Sequence, residues 1–230
     1  MSVYIGFDST NYYQELAYNV CLRSIIKYNN MITTHKIVKK DLENNIGFVR
    51  KINDGSTEFT YTRFLTPLLN NYKGWALFCD SDFLWFCDID EIFKTYCDNK
   101  YAVYCVKHEY SKVNSNIKLN GKKQEWYPRK NWSSLMLFNC SHPSIIANMT
   151  LYNINTKSPQ WLHRMEWCND EMIGSIDIQF NYLVGYYNTN IYKVLHYTNG
   201  IPAYPMYRNC MYSDEWYSYL TNEEKQYLFL

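Results

Sequence analysis

Blocks of apolar and polar residues alternate along the first part of the chain in the way that strands and helices do. Residues 2–7 are a short apolar run that predicts a strand, and the polar residues 9–11 can cap a following helix. One face of that helix collects apolar and small residues, namely Leu16, Ala17, Val20, Cys21, Ser24 and Ile25. A second strand is predicted at 35–38, a second helix from about Glu58, and a third strand at 75–79. This alternation predicts a doubly wound α/β domain whose central sheet is mostly parallel and flanked by helices.

The remainder of the chain continues the α/β pattern less regularly. Three further strands are predicted, at 101–106, 131–139 and 191–197. His142-Pro143 opens a helix. Residues 107–130 are polar and without periodicity, so we expect a mobile loop there, with a turn at Asn120-Gly121. With 230 residues and no internal repeat, the chain is expected to form a single domain.

Two acidic residues stand at the end of the third predicted strand. Asp80 and Asp82 flank Ser81, and apolar character resumes at once in residues 83–85. An ionised carboxylate is too costly to bury without a partner, so this pair indicates a bound cation. Oxygen ligands suit Mg²⁺ or Mn²⁺, ions that also bind nucleotide phosphates. Taken alone, the triplet is better explained by a solvated turn after a core strand. Asp8, however, falls at another strand end, and doubly wound sheets bind ligands at such ends.

The charge and cysteine patterns exclude several kinds of protein. There are 23 Lys and Arg against 22 Asp and Glu without a basic run, so nucleic acid is not expected as a partner. The 8 cysteines include no C-x-x-C pair, which argues for reduced core residues and against a zinc knuckle or a disulfide framework. Because the sequence shows neither a transmembrane segment nor a signal-like N-terminus, we expect a cytoplasmic protein.

Six stretches, spread over nearly the whole chain, stand in a characteristic order. They are Phe7-Asp8, Tyr61-Thr62-Arg63-Phe64, Asp80-Ser81-Asp82, residues 131–140, residues 167–171 and residues 196–200. Together they resemble the GT-A glycosyltransferases, and most closely the retaining family-8-like enzymes and a group of small viral and bacterial glycosyltransferases. The resemblance implies one GT-A domain in which residues 1–100 bind nucleotide and metal and residues 101–230 bind the acceptor. It also implies that a sugar moves from a nucleotide-diphosphate sugar, with a UDP-sugar favoured, to a glycan or another hydroxyl acceptor.

The metal site implied by this resemblance consists of Asp80, Asp82 and His196. A ligand set of two carboxylates and an imidazole favours Mn²⁺ but does not exclude Mg²⁺. An ion that bridges both phosphates acts as a Lewis acid and stabilises the charge on the departing diphosphate.

The resemblance also implies a nucleotide site beside the metal. Phe7 and Asp8 match the positions that meet the base and ribose, Ser81 contacts the ribose, and Tyr13 or its neighbour Tyr12 closes over the base.

Two further residues are expected at the diphosphate. Arg63 either contacts it or orients an acidic neighbour. Gly200 matches the family's closing loop, but the lysine that follows the glycine in the family is absent here. The basic residues that can replace that lysine are Arg208, Lys193, Lys122, Lys123, Arg129 and Lys130.

The catalytic and acceptor groups are expected in the later half of the chain. Asp170 matches the family's acidic residue below the sugar, and it or its neighbour Glu171 is the candidate group that contacts the sugar or activates the acceptor hydroxyl. The acceptor-binding residues are expected to be Trp132, His163 and Trp167. Inversion needs a general base and retention a nucleophile or front-face attack, and the sequence leaves both open.

Two other functions fit parts of the pattern. A phosphatase or phosphotransferase of the haloacid dehalogenase type also carries Asp-x-Asp at a strand end. In that class the motif normally lies on the first strand and is followed by Thr or Val where this chain has Leu84. A non-catalytic sugar-nucleotide-binding module would keep the same fold, but the presence of both acids and His196 favours an enzyme.

Overall fold

A six-stranded sheet organises the computed structural model, which describes residues 1–51, 57–109 and 128–229 and the backbone of two short strands between 117 and 123. The strands in the described part of the chain are β1 (Ser2–Gly6), β2 (Thr33–Ile37), β3 (Trp75–Cys79), β4 (Phe83–Trp85), β5 (Val103–Cys105), β6 (Ile117–Lys118), β7 (Lys122–Lys123), β8 (Leu135–Asn139), β9 (Ile173–Ser175), β10 (Tyr182–Leu183) and β11 (Val194–His196). The central sheet has the order β2-β1-β3-β8-β5-β9, and β6 pairs with β7.

All strands of the central sheet except β8 run in the same direction. β1 lies parallel to β2 and β3, and β5 lies parallel to β9, whereas β8 is antiparallel to both β3 and β5. The predicted mostly parallel sheet is therefore confirmed. Because β8 is reversed, its first residue, Leu135, pairs with Cys79 at the end of β3. The residues that precede β8 consequently lie beside Asp80.

A second sheet of three strands has the order β10-β11-β4. β4 follows the Asp80-Ser81-Asp82 triplet directly, and its antiparallel pairing with β11 sets His196 opposite Phe83. This register brings a histidine from the end of β11 next to Asp82.

Helices and apolar clusters cover both faces of the central sheet. The α-helices of the described residues are α1 (Tyr12–Tyr28), α2 (Lys39–Ile46), α3 (Phe59–Thr62), α4 (Thr66–Leu69), α5 (Asp90–Tyr96), α6 (Pro143–Asn148), α7 (Leu151–Thr156), α8 (Pro159–His163), α9 (Ser213–Tyr217) and α10 (Asn222–Phe229). Along β3, Ala76 and Phe78 pack into one cluster and Leu77 and Cys79 into another, as the two-residue period of a strand requires. Both faces of the sheet are thus buried, so a site is expected at the ends of its strands.

Two predicted elements differ in detail from the structure. The strand expected at 131–139 begins only at Leu135, because Trp132–Ser134 form a 3₁₀ turn in which the Ser134 hydroxyl donates to Asn131 O. Such local side-chain bonds compete with strand pairing. The helix expected from Glu58 is divided by a second 3₁₀ turn at Arg63–Leu65, and Pro67 lies in the first turn of the segment that follows.

Some expectations fall on residues outside the described ranges. They are the turn at Asn120-Gly121, the side chains of Lys122 and Lys123, and most of the loop expected at 107–130. Within the described ranges, no helix combines the length and the apolar character that a membrane span requires.

Candidate functional site

Asp80, Asp82 and His196 converge where β3 and β11 end. One ligand atom from each residue lies within 4.8 Å of the others, and His196 Nε2 is 3.3 Å from Asp82 Oδ1. These separations are short enough for the three groups to hold one metal ion. Two carboxylate oxygens and a ring nitrogen are also suitable ligands for Mn²⁺. The three residues predicted for the metal are therefore brought together in a set that fits such an ion.

Arg63 contacts Asp80 from the interior of the protein. Its guanidinium Nη1 is 3.0 Å from Asp80 Oδ1 and donates to Ser133 O at 2.8 Å, while Nε donates to Phe59 O at 3.2 Å. The Arg63 side chain is only 8% exposed and lies between the rings of Phe59 and Phe78. In this structure the guanidinium neutralises and orients Asp80.

The imidazole of His196 is fixed by a ring contact and a hydrogen bond. It stacks on Phe83 with ring centroids 4.4 Å apart, and its Nδ1 is 2.8 Å from Asn181 Oδ1. Asn181 Nδ2 donates to Ser134 Oγ at 2.9 Å, and that hydroxyl donates to Asn131 O at 2.7 Å. Sequence reasoning assigned no role to the two asparagines or the serine. The only local signal for Asn181 is a polar residue among the apolar neighbours Phe180, Tyr182 and Leu183.

Asp8 lies at the end of β1 and is 2% exposed. Its two carboxylate oxygens accept from Thr10 N at 2.9 Å and from Glu58 N at 3.2 Å. These bonds tie the segment that enters α1 to the segment that enters α3. Asp8 thus holds together the two chain segments that flank the predicted nucleotide side.

Aromatic side chains surround that end of β1. The half-buried Phe7 ring meets Tyr18 edge-on, and Lys36 Nζ is 4.0 Å from its centroid. Tyr13 packs edge-on against Tyr204, with ring centroids 5.1 Å apart. Burial raises the pKa of Tyr204, and the carboxylates of Asp8 and Asp82 contribute to the increase. Tyr204 Oη accepts from Gln14 Nε2 at 2.8 Å, so Tyr204 is fixed against the first turn of α1, which also carries Tyr13.

Ser81 and Gly200 occupy crowded positions. Ser81 is 1% exposed, and its hydroxyl has no hydrogen-bond partner among the described residues. Gly200 adopts φ 149°, and a Cβ atom there would lie 2.4 Å from the Tyr207 ring. The loop after β11 therefore needs glycine at this position.

Most of the basic residues considered as replacements for the missing lysine contact other groups. Arg208 donates to Leu228 O, Lys193 pairs with Glu91, and Arg129 pairs with Asp170. The next residue after Arg129, Lys130, is 9% exposed, and burial lowers its pKa to about 8.

Asp170 and Glu171 are exposed in a 3₁₀ turn, Asp170–Met172, and do not belong to the metal cluster. Asp170 Oδ1 is 2.5 Å from Arg129 Nη2, and the Arg129 guanidinium carbon is 5.2 Å from the centroid of the half-buried Trp132 ring. Trp132 Nε1 donates to His108 O at 3.3 Å. Asp170 is thus joined to the predicted acceptor residue Trp132 through Arg129.

Two residues predicted to bind the acceptor are packed against other parts of the protein. Trp167 is 3% exposed and donates from Nε1 to Leu162 O, so no face of its ring is available to an acceptor. His163 packs against Tyr61 and Phe64, and its Nδ1 is 2.9 Å from Ser133 Oγ. Both residues contribute to packing behind the site, because the aromatic pattern that suggested sugar binding is also the pattern of a core.

The lowered pKa of the half-buried His163 predicts acid sensitivity. Burial, assisted by the charges of Arg63 and Arg50, lowers the pKa of His163 from 6.5 to about 3. Below pH 6.5 the His163 imidazole is protonated in the unfolded chain but remains neutral in the folded protein. The free energy of unfolding therefore falls as the pH is lowered toward 3. We expect His163→Gln to remove about 2 kcal/mol of the stability difference between pH 7 and pH 4.5, measured by urea unfolding. His35→Gln, at an exposed histidine, is the control, and an unchanged pH slope in His163→Gln would contradict the assignment.

The chain has the GT-A fold that is found in glycosyltransferases. The glycosyltransferase GlyE of Streptococcus pneumoniae TIGR4 superimposes with a TM-score of 0.60 at 13% identity, over 99% of this chain and 62% of GlyE. This chain thus spans less than two thirds of the length of GlyE. The galactosyltransferase LgtC, solved with donor and acceptor sugar analogues, superimposes with a TM-score of 0.54 at 14% identity, over 98% and 99% of the two chains.

The chain belongs to the same family as protein CDI of Arabidopsis thaliana. The two are 39% identical over 235 residues, which cover 98% of this chain and 86% of protein CDI. No protein-family model matches the chain. The GT-A fold also contradicts the alternative of a phosphatase of the haloacid dehalogenase type.

Proposed function

We propose that this protein is a metal-dependent glycosyltransferase that moves a sugar from a nucleotide-diphosphate sugar, most favourably a UDP-sugar, to a hydroxyl of a glycan or another acceptor. The observation that carries the proposal is the convergence of Asp80, Asp82 and His196 at the strand ends of a GT-A fold. A site that gathers two carboxylates and an imidazole around one position suits a cation and, through it, a diphosphate.

In the proposed mechanism Asp80, Asp82 and His196 hold Mn²⁺ or Mg²⁺. When bound, the ion supplies Lewis-acid stabilisation of the charge on the departing diphosphate. Arg63 orients Asp80 and offsets its charge, because the guanidinium is buried, contacts the carboxylate and is held by two backbone carbonyls.

The nucleotide is proposed to lie along the end of β1. Phe7 and Tyr13 offer aromatic walls for the base, and the buried Ser81 hydroxyl and Asp8 offer polar groups for the ribose. The Gly200 loop closes the far side, where glycine permits the close approach of Tyr207.

The chemical step is proposed to use Asp170 or Glu171, with Trp132 contacting the acceptor. Asp170→Asn should leave the affinity for UDP and Mn²⁺ nearly unchanged, because Asp170 lies outside the metal cluster. Turnover should fall by about 10²- to 10⁴-fold, the usual contribution of a general acid or base. Turnover is measured as the steady-state rate of sugar transfer, and UDP affinity is measured by calorimetry. Normal turnover in Asp170→Asn with a dead Glu171→Gln would move the role to the neighbour, and normal turnover in both would place it elsewhere.

The experiment that tests the proposed function is a UDP titration followed by a donor panel. Calorimetry should give much tighter UDP binding with Mn²⁺ than in excess EDTA, because the cation removes the repulsion between the diphosphate and the two carboxylates. Transfer or hydrolysis should then appear with one of the UDP-, GDP- or dTDP-sugars. Equal UDP affinity in EDTA would contradict the metal site. Metal-dependent binding without turnover of any donor would favour the non-catalytic binding module.

Cytoplasmic residence stays a prediction. It is supported by the 8 cysteines, all of which are thiols in the structure and five of which are buried, as expected in a reducing compartment.

A further inference from the structure

A chain of hydrogen bonds behind His196 ends at a backbone carbonyl. It runs from His196 Nδ1 to the side chain of Asn181, on to the Ser134 hydroxyl, and finally to Asn131 O, with distances of 2.8, 2.9 and 2.7 Å. We infer that Asn181 is a positioning residue, which fixes the protonation of the His196 ring so that Nε2 presents a lone pair to the metal. The inference rests on the proposed function for the presence of the metal.

The terminal carbonyl sets the direction of every bond in the chain. A carbonyl oxygen only accepts, so the Ser134 hydroxyl uses its single proton on Asn131 O. The Ser134 oxygen must then accept from Asn181, which therefore presents its amide nitrogen. The amide oxygen of Asn181 is left facing His196 Nδ1, and only a protonated Nδ1 can donate to it.

Protonation of Nδ1 leaves Nε2 of the neutral ring as an acceptor. Nε2 lies 3.3 Å from Asp82 Oδ1, so the ring nitrogen that can bind a metal faces the carboxylate of a second proposed ligand. Metal-bound histidines usually donate their second ring nitrogen in this way, and loss of the acceptor typically weakens metal binding by about 10- to 100-fold.

Burial makes the role of Asn181 difficult to replace. Asn181 is fully buried and His196 is 2% exposed, so bulk water cannot take over as the acceptor for Nδ1. The stacked Phe83 ring fixes the plane of the imidazole but leaves open which nitrogen carries the proton. The side chain of Asn181 determines which ring nitrogen of His196 carries the proton.

The test compares variants of Asn181 in the full chain. Binding of Mn²⁺ alone is measured by the electron paramagnetic resonance of the free ion, and the His196 tautomer by long-range ¹H–¹⁵N correlation in the metal-free protein. Asn181→Leu, which lacks an acceptor, should bind Mn²⁺ about 10- to 100-fold more weakly and show His196 protonated at Nε2. Asn181→Asp keeps an acceptor and should retain both the affinity and the Nδ1–H form.

Asn139→Leu is the matched control, because Asn139 is also a buried asparagine but donates to Tyr101 O, remote from the cluster. It should keep wild-type Mn²⁺ affinity. Wild-type affinity and tautomer in folded Asn181→Leu would overturn the inference and leave the proposed function standing. If Asn181→Leu does not fold, the wild-type tautomer decides, and a proton on Nε2 would overturn the inference.

The two proposals fail in distinguishable ways. A wild-type protein that binds Mn²⁺ but transfers no sugar contradicts the enzymatic function only. A wild-type protein that does not bind Mn²⁺ overturns both.

Discussion

Asp82→Asn is expected to lower metal-dependent sugar transfer by at least about 10²-fold, because the loss of one charged ligand removes Lewis-acid stabilisation worth several kcal/mol. The substitution is nearly isosteric, and Asp82 is only half-buried, so the fold should be kept. The measurement is the initial rate of transfer over a range of Mn²⁺ concentrations, with circular dichroism as the check on folding.

Asp98→Asn is the matched control for this substitution. Its side chain is 54% exposed and pairs with Lys100 at the surface, so turnover should equal that of the wild type. Unfolding of Asp82→Asn would indicate a structural role for the carboxylate. Unchanged turnover would remove Asp82 from the metal site.

Arg63→Met is expected to reduce the free energy of unfolding by about 3–5 kcal/mol, the usual cost of removing one partner from a buried ion pair. The change leaves Asp80 without its guanidinium and deprives the carbonyls of Ser133 and Phe59 of a donor. Urea unfolding at pH 7 provides the measurement. Arg208→Met, which removes a bond to one carbonyl only, should cost much less.

A double variant separates charge from packing in this experiment. If the cost of Arg63→Met comes from an unpaired carboxylate, Asp80→Asn should recover part of the lost stability in the Arg63→Met background. Strictly additive losses would instead assign the effect to packing between the Phe59 and Phe78 rings.

The early strand–helix alternation and the position of Asp80 and Asp82 could be predicted from the sequence, because both depend on patterns within a few residues. The proximity of His196 to the two aspartates could be predicted only from the family resemblance, because it depends on the register between β4 and β11. Asn181 and Ser134 are 47 residues apart and show no local pattern that connects them. The burial of Trp167 could not be predicted, because a tryptophan beside polar residues looks the same in a binding site and in a core.

The pairing of β4 with β11 determines at which stage of synthesis and folding the proposed metal ligands come together. A chain synthesised only as far as β9 already contains both aspartates and Arg63, but it lacks the imidazole and its asparagine support. The three proposed ligands come together only when β4 pairs with β11, and these strands are distant in sequence. Such contacts form late in folding, because the intervening loop must close first. Under the proposed function, metal binding would therefore require completed folding, and partly folded chains would be unable to consume sugar nucleotide.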